Sequence, residues 1–335
     1  MPAIRFTLVT ADNCAMTKTF SQDPFGQVTS TAIAHMTAGR AQVLDIDCPT
    51  QLAGIFELLT PHQAITCGVP QVGDTLLTTR AGAEFNPHAV ARTNEAFRYL
   101  DAPALFPIDV DTATGVYRTV DEVLDALEAA SPWLRHVLRV ARPSSSSYVA
   151  GRGLRGVHVY VPVTRGTDIP ELGKRLQMEQ WAAGRGYVMV SKSGALLVRQ
   201  LSDALVYQPS RLMFEAPPQL EDGVVREVPP TDAWVERPAQ LSQGRAVKYR
   251  TPAGWLDVQE LPPVRDIERR RFEVAVRQAK DRMRVEAKQV ALNYHKANAL
   301  AAGLDDGDRR GAQALRALGD KRLPFSWPLA LAGEA

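Results

Sequence analysis

The chain has 335 residues, 45% apolar and 23% charged, with 39 Lys and Arg against 37 Asp and Glu for a formal net charge of +2. These proportions exclude wholesale disorder, and the length allows one large core or two modest domains. A net charge this small excludes a uniformly basic protein but leaves room for local concentrations of charge.

The elements follow in chain order. Ile4 to Val9 reads as a strand, and Ala41 to Ile46 as another that ends on an Asp-x-Asp pair, Asp45 and Asp47. A helix is expected over Thr50 to Leu59, with Thr50 as N-cap and Leu52, Ile55, Phe56 and Leu59 on one face. The run Ala104 to Asp111 reads as a strand, and Thr119-Val-Asp-Glu122 is a capping-box pattern opening a helix that ends near Ser131-Pro132. A Ser- and Gly-rich stretch from Pro143 to Gly153 leads into the strand around His158. Asp168-Ile-Pro-Glu171 opens a helix expected to reach Gly184, and Tyr187 to Val190 is a further strand. Interleaved strands and helices place the chain in the α/β or α+β class.

Beyond Phe214 the texture changes. Residues 221–262, dotted with Pro229, Pro230 and Pro238, read as a Pro-rich linker with a small hairpin at Val247 to Val258. Residues 263–335 read as a helical, basic C-terminal region. Its helix, Arg265 to Leu300, carries Phe272, Val276, Ala279, Met283, Ala287, Val290, Tyr294 and Ala297 as an apolar stripe. The same stretch holds ten Lys or Arg against five Asp or Glu, which fits either nucleic-acid binding or an ordinary solvated helix face.

Three cysteines, Cys14, Cys48 and Cys67, are widely spaced and form no CxxC or Cys/His cluster, which points to free thiols in a reducing compartment. No apolar run approaches the roughly 20 residues that span a bilayer, so a soluble, cytoplasmic protein with no membrane partner is expected.

The chemistry concentrates in three segments. In the first, strand alternation places Phe106, Ile108 and Val110 on one face and Asp109 and Asp111 together on the other. Two carboxylates aimed into one space repel unless protonated or bridged, which suggests a divalent cation held by hard oxygen ligands. The second segment sets Val157, Val159, Val161 and Val163 on one face and His158 and Tyr160 on the other, just after Arg152 and Arg155 and three glycines. Backbone amides, guanidinium groups and an imidazole can converge there on phosphate oxygens, although a single strand histidine is also a common structural residue. The third contains Asp203 and Arg211. The earlier pair, Asp45 and Asp47, reads as turn and capping acids. Taken together, three acids with nearby cations suit phosphoryl or nucleotidyl transfer by a two-metal mechanism.

At these residues the chain resembles the archaeo-eukaryotic primase superfamily, especially the primase-polymerases of phages, plasmids and integrated elements. The resemblance covers roughly the first 220 residues. Its Asp-x-Asp motif matches Phe106 to Asp111, its Gly-x-His strand matches Gly156 to Val161, and its Asp and Arg-Leu-x-x-x-x-Pro elements match Asp203 and Arg211 to Pro217. Lys18, His62 to Gly68 and Arg92 to Phe97 are similar to segments that precede the first motif in mobile-element members. Gly156 departs from the pattern, since the family often carries Ser there; Ser144 to Ser147 or Arg155 are the substitutes within reach in sequence.

The resemblance implies an RRM-like catalytic sheet with an added N-terminal α/β unit over residues 1–220. It implies Asp109, Asp111 and Asp203 as catalytic ligands of Mg2+ or Mn2+, with His158, Arg211 and Arg155 on the incoming nucleotide. A single-stranded DNA template, nucleoside triphosphates and a replicative helicase are the implied partners, with the basic C-terminal helix available to the template or the initiating nucleotide. A metal-dependent nuclease using the same acids, and a noncatalytic DNA-binding replication module, are the alternatives.

Overall fold

The computed structural model describes residues 3–32, 35–111, 116–221, 223–240 and 248–301, the last five by backbone only. Two compact units result: Met1–Gln180 with Leu201–Pro263, and Trp181–Gln200 with the chain from Val264 on. The protein is a mixed α/β chain of the α+β type, with several sheets and few helices.

The first unit opens with a five-stranded sheet of β1 (Ile4–Ala11), β2 (Ala38–Ile46), β3 (Gln63–Thr66), β4 (Thr75–Thr78) and β5 (Ala89–Ala91), in the order β3-β1-β2-β4-β5. Alternation along β1 serves two cores: Ile4 and Phe6 enter the main one, whereas Val9 and Ala11 enter a smaller one with Met16, Leu77 and Phe97. Asp45 lies opposite Arg5 in the β1/β2 register and pairs with it at 2.8 and 3.0 Å, so it is a cross-strand ion-pair acid rather than a turn or cap.

The helix expected at Thr50 is α1 (Leu52–Glu57), preceded by a 3-10 turn over Pro49–Gln51. Gln51, not Thr50, closes its entry, accepting from the amides of Asp47 and Cys48 at 2.8 and 3.2 Å. Pro49 explains the shift, because a proline at the first helical position moves the start of the turn back by two residues. Leu52 and Phe56 are fully buried as the periodicity requires.

The second sheet is antiparallel throughout and contains β6 (Ala104–Asp111), β7 (Arg139–Pro143), β8 (Gly156–Val163) and β9 (Val235–Arg237), in the order β6-β8-β7-β9. Helix α2 (Val120–Ala130) lies between β6 and β7 in the chain, and α3 (Ile169–Ala182) follows β8. Thr119 caps α2 by accepting from the Glu122 amide at 3.2 Å. Asp168, just before α3, pairs with Arg165 and accepts from Gln259. Phe106, Ile108 and Val110 of β6 and the four valines of β8 are fully buried with Val123, Leu124 and Leu127 of α2 and Leu172 and Leu176 of α3. That packing commits one face of the sheet to the core and leaves the other to Asp109, Arg142 and His158.

Residues 221–262, expected as a linker, belong to the first unit. Prolines are compatible with the ends of an edge strand, and β9 is such a strand, bracketed by Pro230 and Pro238 and paired to β7. Arg237 then reaches Asp121, Asp125 and Glu128 of α2 at 2.7 to 2.8 Å, while Arg139 meets the same Glu128 at 2.5 Å. Trp255, Leu256 and Leu261 are buried in the main core. Of the expected hairpin, Val247 lies outside the described residues; the remainder is a turn at Thr251 to Gly254 closed by one bridge, Arg250 to Leu256.

The second unit joins a hairpin, Tyr187–Val190 with Leu196–Arg199, to α4 (Asp266–Ala301), a helix of 36 residues. Trp181, Val188 and Leu196 pack with Ala279 and Ala287, supported by Phe272, Val276 and Met283. Gly194 has φ +84, and a Cβ there would meet Ala291 at 2.5 Å, so both conformation and space require glycine. Tyr294 of the expected stripe is 40% exposed. The Ala297 side chain and residues 302–335 of the expected C-terminal region lie outside the described residues. Arg269, Arg270 and Arg271 are exposed on α4. No helix among the described residues is long and apolar enough to cross a membrane, and the three cysteines are free thiols.

Candidate active site

Register builds the site. In the β6/β8 ladder Asp109 stands opposite His158 and Asp111 opposite Gly156; in the β7/β8 ladder Arg142 stands opposite His158. Directly opposed residues share a face, so Asp109, His158 and Arg142 form one row across three strands on the side away from the valine core.

His158 is buried and held between two carboxylates, with Nδ1 2.5 Å from Glu215 Oε1 and Nε2 3.5 Å from Asp109 Oδ1. Glu215 is itself buried and also accepts from the Tyr160 hydroxyl, while Arg142 Nη1 lies 3.6 Å from its other oxygen and donates to its backbone carbonyl at 3.2 Å. Arg142 is further steadied over the Phe56 ring, 5.4 Å from its centroid. Burial alone would discharge the imidazole, but Glu215 and then Asp109 outweigh it and lift His158 to about 9. Glu215 is correspondingly held at about 2: burial opposes ionisation, and His158 and Arg142 overcome it. At neutral pH the row therefore carries a fixed imidazolium.

Asp109 behaves differently. Burial pushes its carboxyl above the usual range, His158 works against that, and the neighbouring acids Asp111, Asp203 and Glu215 add to it. Asp203 is brought to Asp109 by the backbone, its N–H donating to the Asp109 carbonyl at 2.8 Å, and its carboxylate caps a short 3-10 helix, Ala204–Tyr207, through the Leu205 amide at 3.1 Å. Asp111 is exposed at the end of β6. The three sequence-assigned acids are thus neighbours along one strand edge. Their donor chemistry suits a hard divalent cation, while the raised Asp109 carboxyl comes first from burial, with the neighbouring acids adding to it. Among the described residues no three His, Cys, Asp or Glu side chains converge closely enough to enclose such an ion.

The loop from Ser144 to Arg155 closes the other end of the row. Tyr148 and Ala150 both have positive φ, 62 and 50, a conformation that costs about 1–2 kcal/mol per non-glycine residue and is held by surrounding contacts. Those contacts are the Tyr148 hydroxyl on Asp232 and Arg226 on the carbonyls of Ser147 and Ser144 at 3.0 and 3.1 Å. Ser147 is consumed by the loop, accepting from the amides of Arg155 and Gly156 and donating to the Gly156 carbonyl. Ser144 stands beside β8, its Oγ 3.0 Å from where a Cβ on Gly156 would stand. Arg152 bonds the Val28 carbonyl instead of joining the row. Arg155 is half-buried at the loop's end, one residue before β8. Arg211 is exposed, its amide tied to the Gln208 carbonyl, and its charge acts on Arg92.

Three participants are absent from the sequence reading. Glu215 had one signal, an acid ending the apolar run Leu-Met-Phe before Ala-Pro. Arg142 follows Val140 on one face of β7, a short strand with little pattern. Arg226 lies in the Pro-rich stretch, where burial and the adjacent Arg142 lower it to about 10. Compared with protein-family models, curated proteins and solved structures, the chain matches none.

Proposed function

We propose that this protein is a primase-polymerase that synthesises primers on single-stranded DNA by template-directed nucleotidyl transfer. The observation that carries the reading is the juxtaposition of Asp109, His158 and Asp203, three residues far apart in sequence that the ladder and one backbone hydrogen bond bring to a single strand edge. The topology supports it as well. β6-α2-β7-β8-α3 is a βαββα succession with the first three strands adjacent in the order first, third, second, as in an RRM-like sheet. The chain after α3 then returns to the outer edge of β6 at Asp203, where such a sheet carries its fourth strand.

In this reading Asp109, Asp111 and Asp203 would hold Mg2+ or Mn2+. Two such ions, when bound, would supply acidification of a 3′ hydroxyl and charge stabilisation on pyrophosphate. His158, kept as an imidazolium by Glu215, donates to a triphosphate oxygen, and Arg142 and Arg226 add positive charge behind it. Ser144 presents a hydroxyl beside Gly156, and Arg155 stands at the mouth of the loop. Arg211 is assigned to the same nucleotide by the motif match alone. The primer's hydroxyl is the nucleophile, so the protein needs none of its own.

The test is incubation with a single-stranded DNA template, Mn2+ or Mg2+ and labelled ribo- and deoxyribonucleotides without primer, beside the Asp109→Ala, Asp111→Ala double variant. Short products from the unaltered protein alone are expected. Absence of product even with a supplied primer would overturn the reading; cleavage of labelled DNA without nucleotides would indicate a nuclease, and tight binding indifferent to metal removal a noncatalytic DNA-binding module.

A further inference from the structure

A second polar feature lies outside the row and shares none of its residues. At the β4–β5 end of the first sheet a cleft of about 370 Å3 is lined by Thr79, Arg80, Arg92, Asn94, Gln208 and Ser210 among others, with Met36 and Ala91 its apolar members. A cavity of this size is within the range of small-ligand sites, but its lining is hydroxyl, amide and guanidinium rather than hydrocarbon. It is built for a hydrophilic ligand.

The charges define which kind. Arg92 is half-buried; its Nη1 donates to the Ser210 carbonyl at 2.5 Å, and its Nε is buried without a partner. The carbonyl it holds belongs to the residue just before Arg211, whose exposed guanidinium is near enough to act on Arg92, and neither arginine forms an ion pair among the described residues. Burial and Arg211 both work against the charge on Arg92. A partly buried guanidinium with an unpartnered Nε and a second cation nearby is costly unless an anion joins it. The cleft's one acid, Glu95, faces Arg80 at 3.8 Å with both side chains 79% exposed, a pair too solvated to neutralise the interior. Asn94 already accepts from Ser210 Oγ at 2.6 Å through its carbonyl oxygen, which turns its NH2 group into an available donor. A guanidinium fork, a rim arginine, hydroxyls and an amide donor form a set matched to phosphate oxygens.

We propose that this cleft is a phosphate-binding subsite, in which Arg92, with Arg80 at the rim, holds a phosphate group of a nucleotide or of a single nucleic-acid strand. The phosphate chemistry follows from the cleft, and only the two candidate sources rest on the reading given above. The subsite would fix the position of a strand or a second nucleotide relative to the Asp109 edge without taking part in bond making.

Binding can be measured on the full chain by fluorescence anisotropy in the presence of a chelator, so that the readout is independent of synthesis. One arm uses a labelled single-stranded oligonucleotide, the other a labelled nucleoside triphosphate. Arg92→Gln is expected to weaken one of the two by about tenfold. If the ligand is the strand, the slope of log affinity against log salt should fall by about 0.7 for the lost contact. Arg80→Glu, at an exposed position that folding does not need, should weaken the same ligand by about threefold and decides the matter if Arg92→Gln lowers the thermal unfolding midpoint. Unchanged affinity of both variants for both ligands, or no binding of either ligand by the unaltered protein, overturns the proposal. Lost binding in the variants of a protein that makes no primers would leave the subsite standing and remove the primase reading; primer synthesis with unaffected binding would do the reverse.

Discussion

Replacing Glu215 with Gln tests the electrostatic centre of the site. The perturbation keeps shape and hydrogen-bonding capacity but removes the buried charge that lies 2.5 Å from His158 Nδ1. His158 moves from an ordinary 6.5 to about 9 in the folded chain, which at 1.36 kcal/mol per pH unit is about 3 kcal/mol. The descent of Glu215 from 4.5 to about 2 reports the same contact and is counted once. Because the histidine value is raised by folding, its contribution is complete below pH 6.5 and is lost as pH rises through about 9. Because the glutamate value is depressed, its contribution is complete above pH 4.5 and is lost as pH falls through about 2. Full stabilisation therefore lies between pH 4.5 and 6.5. Urea unfolding at about pH 6 should show Glu215→Gln less stable by about 3 kcal/mol, the deficit narrowing at about pH 10 as the imidazolium discharges in the unaltered protein. In parallel, NMR titration of the 15N-labelled imidazole should find His158 shifted down by at least about 1.5 pH units in the variant, since burial and Arg142 are then opposed by Asp109 alone. An unmoved His158 titration, or a deficit equal at both pH values, would refute the reasoning.

Asp109→Asn should raise stability near pH 7, because folding disfavours the ionised carboxyl at this position; lower stability in urea unfolding would contradict the raised value. Arg237→Ala should cost about 1–3 kcal/mol, since it unlinks β9 from three acids of α2, whereas removing the more exposed partner Asp125 should cost less than about 1 kcal/mol; chemical denaturation of both separates the cases. Gly156→Ala brings a Cβ to 3.0 Å from Ser144 Oγ and 3.2 Å from the Val110 carbonyl. A loss of about 1–2 kcal/mol is expected, reduced when Ser144 is also changed to Gly, and a double-mutant cycle without coupling would show that Ser144 does not occupy that space.

Much of the local structure was legible in the residues themselves. Strand alternation placed Asp109 with Asp111, and His158 with Tyr160, on faces opposite their valine and isoleucine neighbours, because the period of two is a property of the extended backbone and requires no partner strand. The Thr119 cap and the apolar spacing of α1, α2 and the long α4 are equally local, set by turn geometry and by which side chains water rejects.

Tertiary structure decided the rest. That Asp109 faces His158, and that Arg142 completes the row, depends on ladder register, and a slip of one residue would turn these side chains to the other face without any change in local propensity. Glu215 and Arg226 enter from segments with no repeating pattern, placed by contacts to β7, β8 and the Ser144 loop. The Pro-rich stretch became an edge strand because Arg237 found three acids on α2 and Trp255 and Leu256 found room in the core, neither of which leaves a periodic trace. Sequence alone determines which faces carry charge. Only long-range packing determines which charges meet, since the burial that raises Asp109 and the Glu215 carboxylate that keeps His158 ionised are in place only once distant segments have closed around them.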